Sequence, residues 1–153
     1  MYQSYPCDYS LPAEWSPQSG IMLTWPHGGT DWKPYLRQIT DTYLELSEII
    51  TRYEQLLIAT PIVESTRRML AGRLSKEQMD RVHLYDIDSN DTWARDHGPI
   101  TLVSKNCRNG FIVPIHLLDF RFNGWGEKFA WQKDNAINLQ LYYQGAFQAA
   151  LEN

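Results

Sequence analysis

In residues Lys33 to Thr60, KPYLRQITDTYLELSEIITRYEQLLIAT, a helical pattern runs directly into a strand-sized apolar segment. Leu36, Ile39, Tyr43, Leu46, Ile50 and Tyr53 recur at steps of three and four, which on a 3.6-residue period makes one continuous apolar stripe. The spacing predicts a helix from about Lys33 to Glu54, with Asp31 as its N-cap and Pro34 tolerated in the first turn. Gln55 to Ala59 reads as a buried strand. A helix delivered into a buried strand is the repeating step of an α/β fold.

The same alternation extends outward. Upstream, Ile21 to Trp25 is a short apolar strand that breaks at Pro26-His27-Gly28-Gly29, after an irregular first twenty residues interrupted by Pro6, Pro12 and Pro17. Downstream, Thr60-Pro61 opens a second helix near Val63 to Leu74, and Ser75 to Gln78 has the pattern of a capping box for a short third one. Arg81 to Ile87 is a strand whose alternation puts Val82, Leu84 and Asp86 on one face and His83 and Tyr85 on the other. Ile100 to Val103 and Phe111 to Leu118 then form a hairpin around the turn Lys105 to Gly110. Asn123 to Gly126 is a loop, and a last helix starts near Asp134. The order β-α-β-α-β, then a hairpin and a helix, predicts one α/β unit with no internal linker.

Composition narrows the partners. Fourteen basic residues against eighteen acidic ones give a net charge of −4, which speaks against nucleic acid and leaves open a small cationic ligand. No apolar run is long enough to span a membrane, and Met1 to Tyr5 has neither the basic nor the apolar region of a secretory signal. Cys7 and Cys107 are too few for a disulfide scaffold, and no Cys/His spacing suggests zinc. The expectation is a cytoplasmic domain without metal or cofactor. Six Trp and nine Tyr are a heavy aromatic load for 153 residues. Trp25, Trp32, Trp93 and Trp125 fall in Gly-, Pro- or Asp-rich segments, where ligand pockets are often built.

Chemistry concentrates in Asn90-Asp-Thr-Trp-Ala-Arg-Asp-His-Gly-Pro99. Asp86, Asp88, Asp91 and Asp96 crowd the C-terminal end of a predicted strand, with Trp93 and Arg95 among them. A planar cation such as guanidinium wants in-plane carboxylate acceptors and an aromatic face. The plainer reading is a turn with solvated charges, or an internal ion pair of Arg95 with Asp91 or Asp96. Both readings stand on the residues alone.

The segment resembles the Asn-Asp-x-Trp-x-Arg-Asp-x-Gly-Pro signature of agmatine deiminases and Porphyromonas-type peptidylarginine deiminases. Pro12-Ala-Glu-Trp-Ser-Pro17 with Met22-Leu-Thr-Trp-Pro26 and Asp31-Trp32 is similar to the family's N-terminal signature. Asp119 to Phe129 with Asp134-Asn-Ala-Ile137 is similar to its mid-chain one. The resemblance runs from about residue 11 to 138. It implies part, about two of five ββαβ blades, of a pseudo-symmetric α/β propeller. It also implies hydrolysis of a guanidine to a urea through a cysteine thiolate, without metal or cofactor. On this likeness Asp96 takes the guanidinium-binding aspartate and Trp93 the pocket-wall tryptophan. Trp125 is either a stacking face or a filler between blades. Asp91, Arg95 and Gly98 read as loop-shaping, and Trp25-Pro26-His27 as pocket rim. His27, His83, His97 and His116 are not taken as the general base, because the family's catalytic histidine lies further along a full-length chain.

The family's Gly-rich His-Cys segment, Glu-Gly-Gly and His-x-Asp motifs have no match here, and Cys7 and Cys107 read as bystanders. The chain is therefore expected to be the N-terminal portion of the catalytic domain, inactive alone, its candidate partners being the missing C-terminal part of the same enzyme and a second copy in a homo-oligomer. Agmatine is the preferred substrate of the whole enzyme. Peptidylarginine, a non-catalytic binding module for a cationic amine, and a purely structural fragment are the alternatives.

Overall fold

The structure is a computed structural model of the chain, and it describes residues 8–104 and 115–152. Cys7, Cys107, the turn Lys105 to Gly110 and the first part of the Phe111 to Leu118 strand lie outside the described residues.

Two sheets form. The first is parallel, β2 (Gly20–Thr24), β3 (Gln55–Thr60) and β4 (Val82–Asp86), in that order and in register Ile21 to Leu56 to Val82. The second has order β1 (Tyr9–Ser10), β5 (Ile100–Ser104), β6 (Ile115–Leu118) and β7 (Ala150–Glu152), antiparallel except for the parallel β6–β7 pair. The α/β alternation and every long element expected from the sequence are present. The two shortest strands, β1 and β7, lack enough residues for a legible pattern.

Helix α1 (Leu36–Ile50) connects β2 to β3, and α2 (Val63–Ala71) with α3 (Lys76–Met79) connects β3 to β4. The register places Leu23, Leu56, Ile58, Val82 and Leu84 on the face that meets Trp25, Leu70, Leu74, Tyr43 and Ile50. Met22, Ala59 and Tyr85 point the other way, and pack with Ile87 against Ile137 and Leu141 of α7 (Ile137–Tyr143). The sheet is thus covered on both faces, as a parallel sheet requires.

Several expectations change. Asp31 does not cap α1: Pro34 lies in a 3₁₀ turn, Lys33–Tyr35, and Tyr35 precedes the α-helix without a side-chain cap. Leu46 and Tyr53 face water, 39% and 78% exposed, while Ser47 is fully buried. The stripe is centred on Tyr43, Ser47 and Ile50 because the helix ends at Ile50, and Ser47 spends its hydroxyl on the Tyr43 carbonyl at 2.7 Å. Trp25 is not a rim residue. It is fully buried and meets the Tyr43 ring edge-on at 5.7 Å. The capping box at Ser75 forms as expected, its hydroxyl accepting from the Gln78 amide. The Gln78 side chain also donates to the Glu48 carbonyl, satisfying the end of α1.

Ile58 sits at 0% exposure in the central strand. Ile58→Ala is expected to lower unfolding free energy by about 2–5 kcal/mol, measured by urea denaturation, because the cavity cannot be filled by water.

Candidate functional site

The site is assembled from two loops. The first follows β4 and carries Asn90 to Gly98, ending in the single helical turn α4 (Ala94–His97). The second follows β6 and carries Asp119 to Glu127. It ends in a turn, α5 (Gly124–Glu127), in which Gly124, Trp125, Gly126 and Glu127 all have positive φ. That run is strained for Trp125 and Glu127, at about 1–2 kcal/mol each. Gly124 is required, since a Cβ there would lie 2.6 Å from the Phe129 carbonyl oxygen.

What holds Trp125 in this conformation is its ring. It makes edge-on contacts with Phe122, Phe129 and Trp93 at 5.2, 5.7 and 6.0 Å between centroids. Each such pair is worth about 0.5–1.5 kcal/mol, enough together to offset the backbone strain. Trp93 is in turn fixed by Asp91, whose Oδ2 accepts from the indole N–H at 2.9 Å. Trp32 extends the aromatic row, 6.3 Å from Trp93, with its own N–H donating to Thr92 Oγ1 at 2.8 Å.

Both loops are pinned by the segment leading into α7. Asp134, almost fully buried in α6 (Gln132–Asn135), accepts at Oδ1 from the amides of Asn90 (2.6 Å) and Asp91 (3.2 Å). Burial pushes its carboxyl pKa up, against the pull of those two amides. Asn135 accepts from the Phe122 amide at 2.8 Å, and Asn90 accepts from the Lys133 amide at 2.9 Å. Fully buried Asn138 donates to the His97 carbonyl and to Asp119. Sequence reasoning did not find these roles for Asp134, Asn135 and Asn138. The available signal was a polar pair four residues apart, Asp134 and Asn138, on the inner face of an otherwise apolar-anchored helical segment.

A cleft of about 200 Å³ opens between the loops, lined by Asp96, Phe120, Arg121, Phe122, Asn123 and Trp125. Asp96 and Trp125 therefore share one cavity, whereas Trp93, expected as its wall, is not among the lining residues and reaches the site only through its edge contact with Trp125. Of the aspartates in the 88–98 loop, Asp88 pairs with Lys133 at 3.1 Å and Asp91 is bonded to Trp93. The Asp96 carboxylate makes no hydrogen bond or ion pair among the described residues and is exposed. The internal pairing of Arg95 with Asp91 or Asp96 does not occur. Arg95 projects away to Glu14 at 3.2 Å, fully solvated, because α4 turns its side chain outward. A larger hollow of about 500 Å³ lies beside Asp86, Asp88 and Lys133, but no aromatic ring lines it.

The histidines divide by environment. His83 is exposed and bonds Gln55. His116 pairs with Glu152 at 2.7 Å. His27 accepts the Gly29 N–H at Nδ1, so its own proton sits on Nε2 and is donated to Ser89 Oγ at 3.1 Å. In that tautomer it cannot act as a base toward Ser89. His97 is buried beside Thr24 Oγ1, 3.2 Å from Nε2.

The family model of Porphyromonas-type peptidyl-arginine deiminases matches residues 10–152. The chain belongs to that family. A Shewanella baltica protein named as an agmatine deiminase is 29% identical over 146 residues, covering 91% of this chain and 36% of that protein. A cysteine-to-serine variant of the agmatine deiminase of C. jejuni, with substrate bound, superposes with a TM-score of 0.78. It is 29% identical and covers 100% of this chain and 42% of its own. A Porphyromonas gingivalis protein named as an arginine deiminase is 36% identical with a TM-score of 0.76, over 95% of this chain and 40% of its own. The chain thus spans well under half the length of the relatives it matches.

Burial drives the His97 pKa down to about 4, with the Asp96 charge opposing weakly. A histidine depressed from 6.5 contributes stability that is fully present above pH 6.5 and lost as pH falls toward 4. The loss is expected to reach about 3 kcal/mol at pH 4. Urea denaturation across pH 7 to 4 checks this against His97→Gln, in which the histidine part of the slope should vanish.

Proposed function

We propose that the whole enzyme hydrolyses a guanidinium group, converting agmatine to N-carbamoylputrescine and ammonia, and that this chain supplies the part of the site that holds the guanidinium. The supporting observation is the Asp96 carboxylate, left without a bonded partner in a cleft walled by Trp125 and backed by Trp93. An anionic acceptor beside aromatic faces suits a flat, weakly hydrated cation. Of the named relatives, the C. jejuni enzyme was captured with its substrate as a cysteine-to-serine variant, which supports a cysteine nucleophile in this family.

In the proposed reaction a cysteine thiolate from outside this chain adds to the guanidinium carbon. Nitrogen leaves as ammonia after taking a proton, and water then hydrolyses the covalent thiouronium to release the urea product and the thiolate. Asp96 holds the nitrogens in plane and stabilises positive charge that localises as the carbon becomes tetrahedral. Trp93 and Trp125 fix the plane and exclude water. Isolated, the chain would bind without turning over. The ββαβ order of β5, β6, α7 and β7 supports the reading of one blade of a propeller, with residues 1–153 as a single unit within the catalytic domain. The description of the matching family supports peptidylarginine as a second substrate reading.

Calorimetry with agmatine, arginine and a short arginyl peptide tests this. The chain is expected to bind agmatine, and Asp96→Asn to weaken binding about tenfold or more, as loss of one charge-assisted contact of about 1.5–3 kcal/mol requires. Equal affinities in the two proteins would remove Asp96 from the site. Ammonia release by the isolated chain would refute the division of labour.

A further inference from the structure

The two loops of the cleft come from different parts of the chain, and a single buried side chain hydrogen-bonds both. Asn138 Nδ2 donates to the His97 carbonyl at 2.7 Å and to Asp119 Oδ1 at 2.7 Å, and the residue is fully buried. His97 closes the turn that presents Asp96. Asp119 opens the segment that ends at Trp125. Asp134 bonds only the first loop and Asn135 only the second. We infer that Asn138 is a positioning residue of this site, which sets Asp96 and Trp125 in fixed relation through one amide nitrogen shared between the two loops.

The side-chain chemistry explains why this residue type serves. A primary carboxamide carries two protons on one planar nitrogen, one for each acceptor. Aspartate at this place has none to give, serine has one, and an aliphatic residue would leave the buried His97 carbonyl and the half-buried Asp119 carboxylate without this donor. The bond to Asp119 is charge-assisted and correspondingly strong. The position of the amide is fixed independently of either loop, because Ile137 and Leu141 on the same helix are seated in the core with Ala59 and Ile87. The rings reinforce the link, His97 meeting Phe122 at 6.2 Å across the loops. The inference rests on the cleft being the guanidinium site, but its geometry does not need the ligand.

Amide hydrogen exchange of the full 153-residue chain, read by NMR, tests the coupling. The probes are Gly98 N–H, bonded to the Ala94 carbonyl, and Gly126 N–H, bonded to Asn123 Oδ1. Trp25 N–H and Leu56 N–H, bonded to the carbonyls of Ala59 and Arg81, are the sheet references. Asn138→Asp keeps the volume and removes both donated bonds. It is expected to speed exchange at least tenfold at Gly98 and Gly126 together, with Trp25 and Leu56 unchanged. A response confined to one loop, absent from both, or equal at all four amides would overturn the proposal. Should that variant fail to fold, Asp119 gives the same answer. Asp119→Asn retains an acceptor and should exchange as wild type, whereas Asp119→Leu should speed both Gly126 and Gly98. An unchanged Gly98 rate in Asp119→Leu overturns the coupling. Agmatine affinity, measured on the same samples, should fall about tenfold in Asn138→Asp. If wild-type chain binds no agmatine, it is the ligand reading that fails, and the exchange rates still decide the positioning role.

Discussion

A parallel sheet cannot leave either face in water, and that constraint organises this chain. One face of β2-β3-β4 is covered locally, by the two crossover connections that make the strands parallel. The other has no local cover, so the chain must return to it, and α7 does so with Ile137 and Leu141 against Ala59 and Ile87. The return carries Asp134, Asn135 and Asn138 to the place where the 88–98 loop leaves β4. Burial of apolar surface sets the approach, at roughly 1.5–3 kcal/mol for each large side chain. The polar bonds then select the arrangement of the loops, since each buried donor or acceptor left unmade would cost about 1–3 kcal/mol.

Within the loops, most polar groups are committed to structure. Asp91 orients Trp93, Asp134 gathers two backbone amides, and Asp119 receives Asn138. Asp88 is neutralised by Lys133. Against that background the Asp96 carboxylate differs: it is the one aspartate of the 88–98 loop with neither a hydrogen bond nor an ion pair among the described residues. The strained Trp125 turn is the backbone counterpart. Its left-handed angles are held by ring contacts, and the result is an indole face standing at the cleft, 43% exposed.

The long elements were legible because their periodicity reports burial directly. Leu56 and Ile58 read as core from a plain apolar run, and Ser75 to Gln78 capped as its spacing required. Tyr53 misled because the stripe was extrapolated past the helix end at Ile50, and Leu46 because the buried face inside the helix is centred on Ser47, a position a hydrophobic pattern does not mark. The segment from Asn90 to Pro99 could be singled out, but whether Arg95 turned inward or outward depended on how α4 presents it, outward to solvent and Glu14. Trp25 and Trp125 look alike in sequence, each beside Pro or Gly. One is core and the other lines the cleft, a difference made by Tyr43, on a helix distant in sequence from Trp25, and by the positive-φ turn that brings Trp125 edge-on to Phe122. Asn138 was illegible for the same reason, since its two acceptors lie forty-one and nineteen residues upstream.

A half-site of this composition has a definite chemical character. Guanidinium is a poor electrophile because its charge is spread over three nitrogens, and a carboxylate already stabilises that ground state before the carbon becomes tetrahedral. Acceleration needs interactions stronger in the transition state than in the bound substrate. On the proposed reading, an Asp96 cleft without a nucleophile would hold its ligand, and reactivity would come from a thiolate brought over the same carbon. The fixed relation between Asp96 and the indole face would then matter more than the affinity of either, since in the proposed reaction a thiolate would meet a carbon whose plane has already been set. An error of about 1 Å in that plane is enough to cost on the order of a hundredfold in rate. Under the proposed reaction, the shared buried amide would couple the group that grips the nitrogens to the wall that orients the plane before the reacting partner arrives.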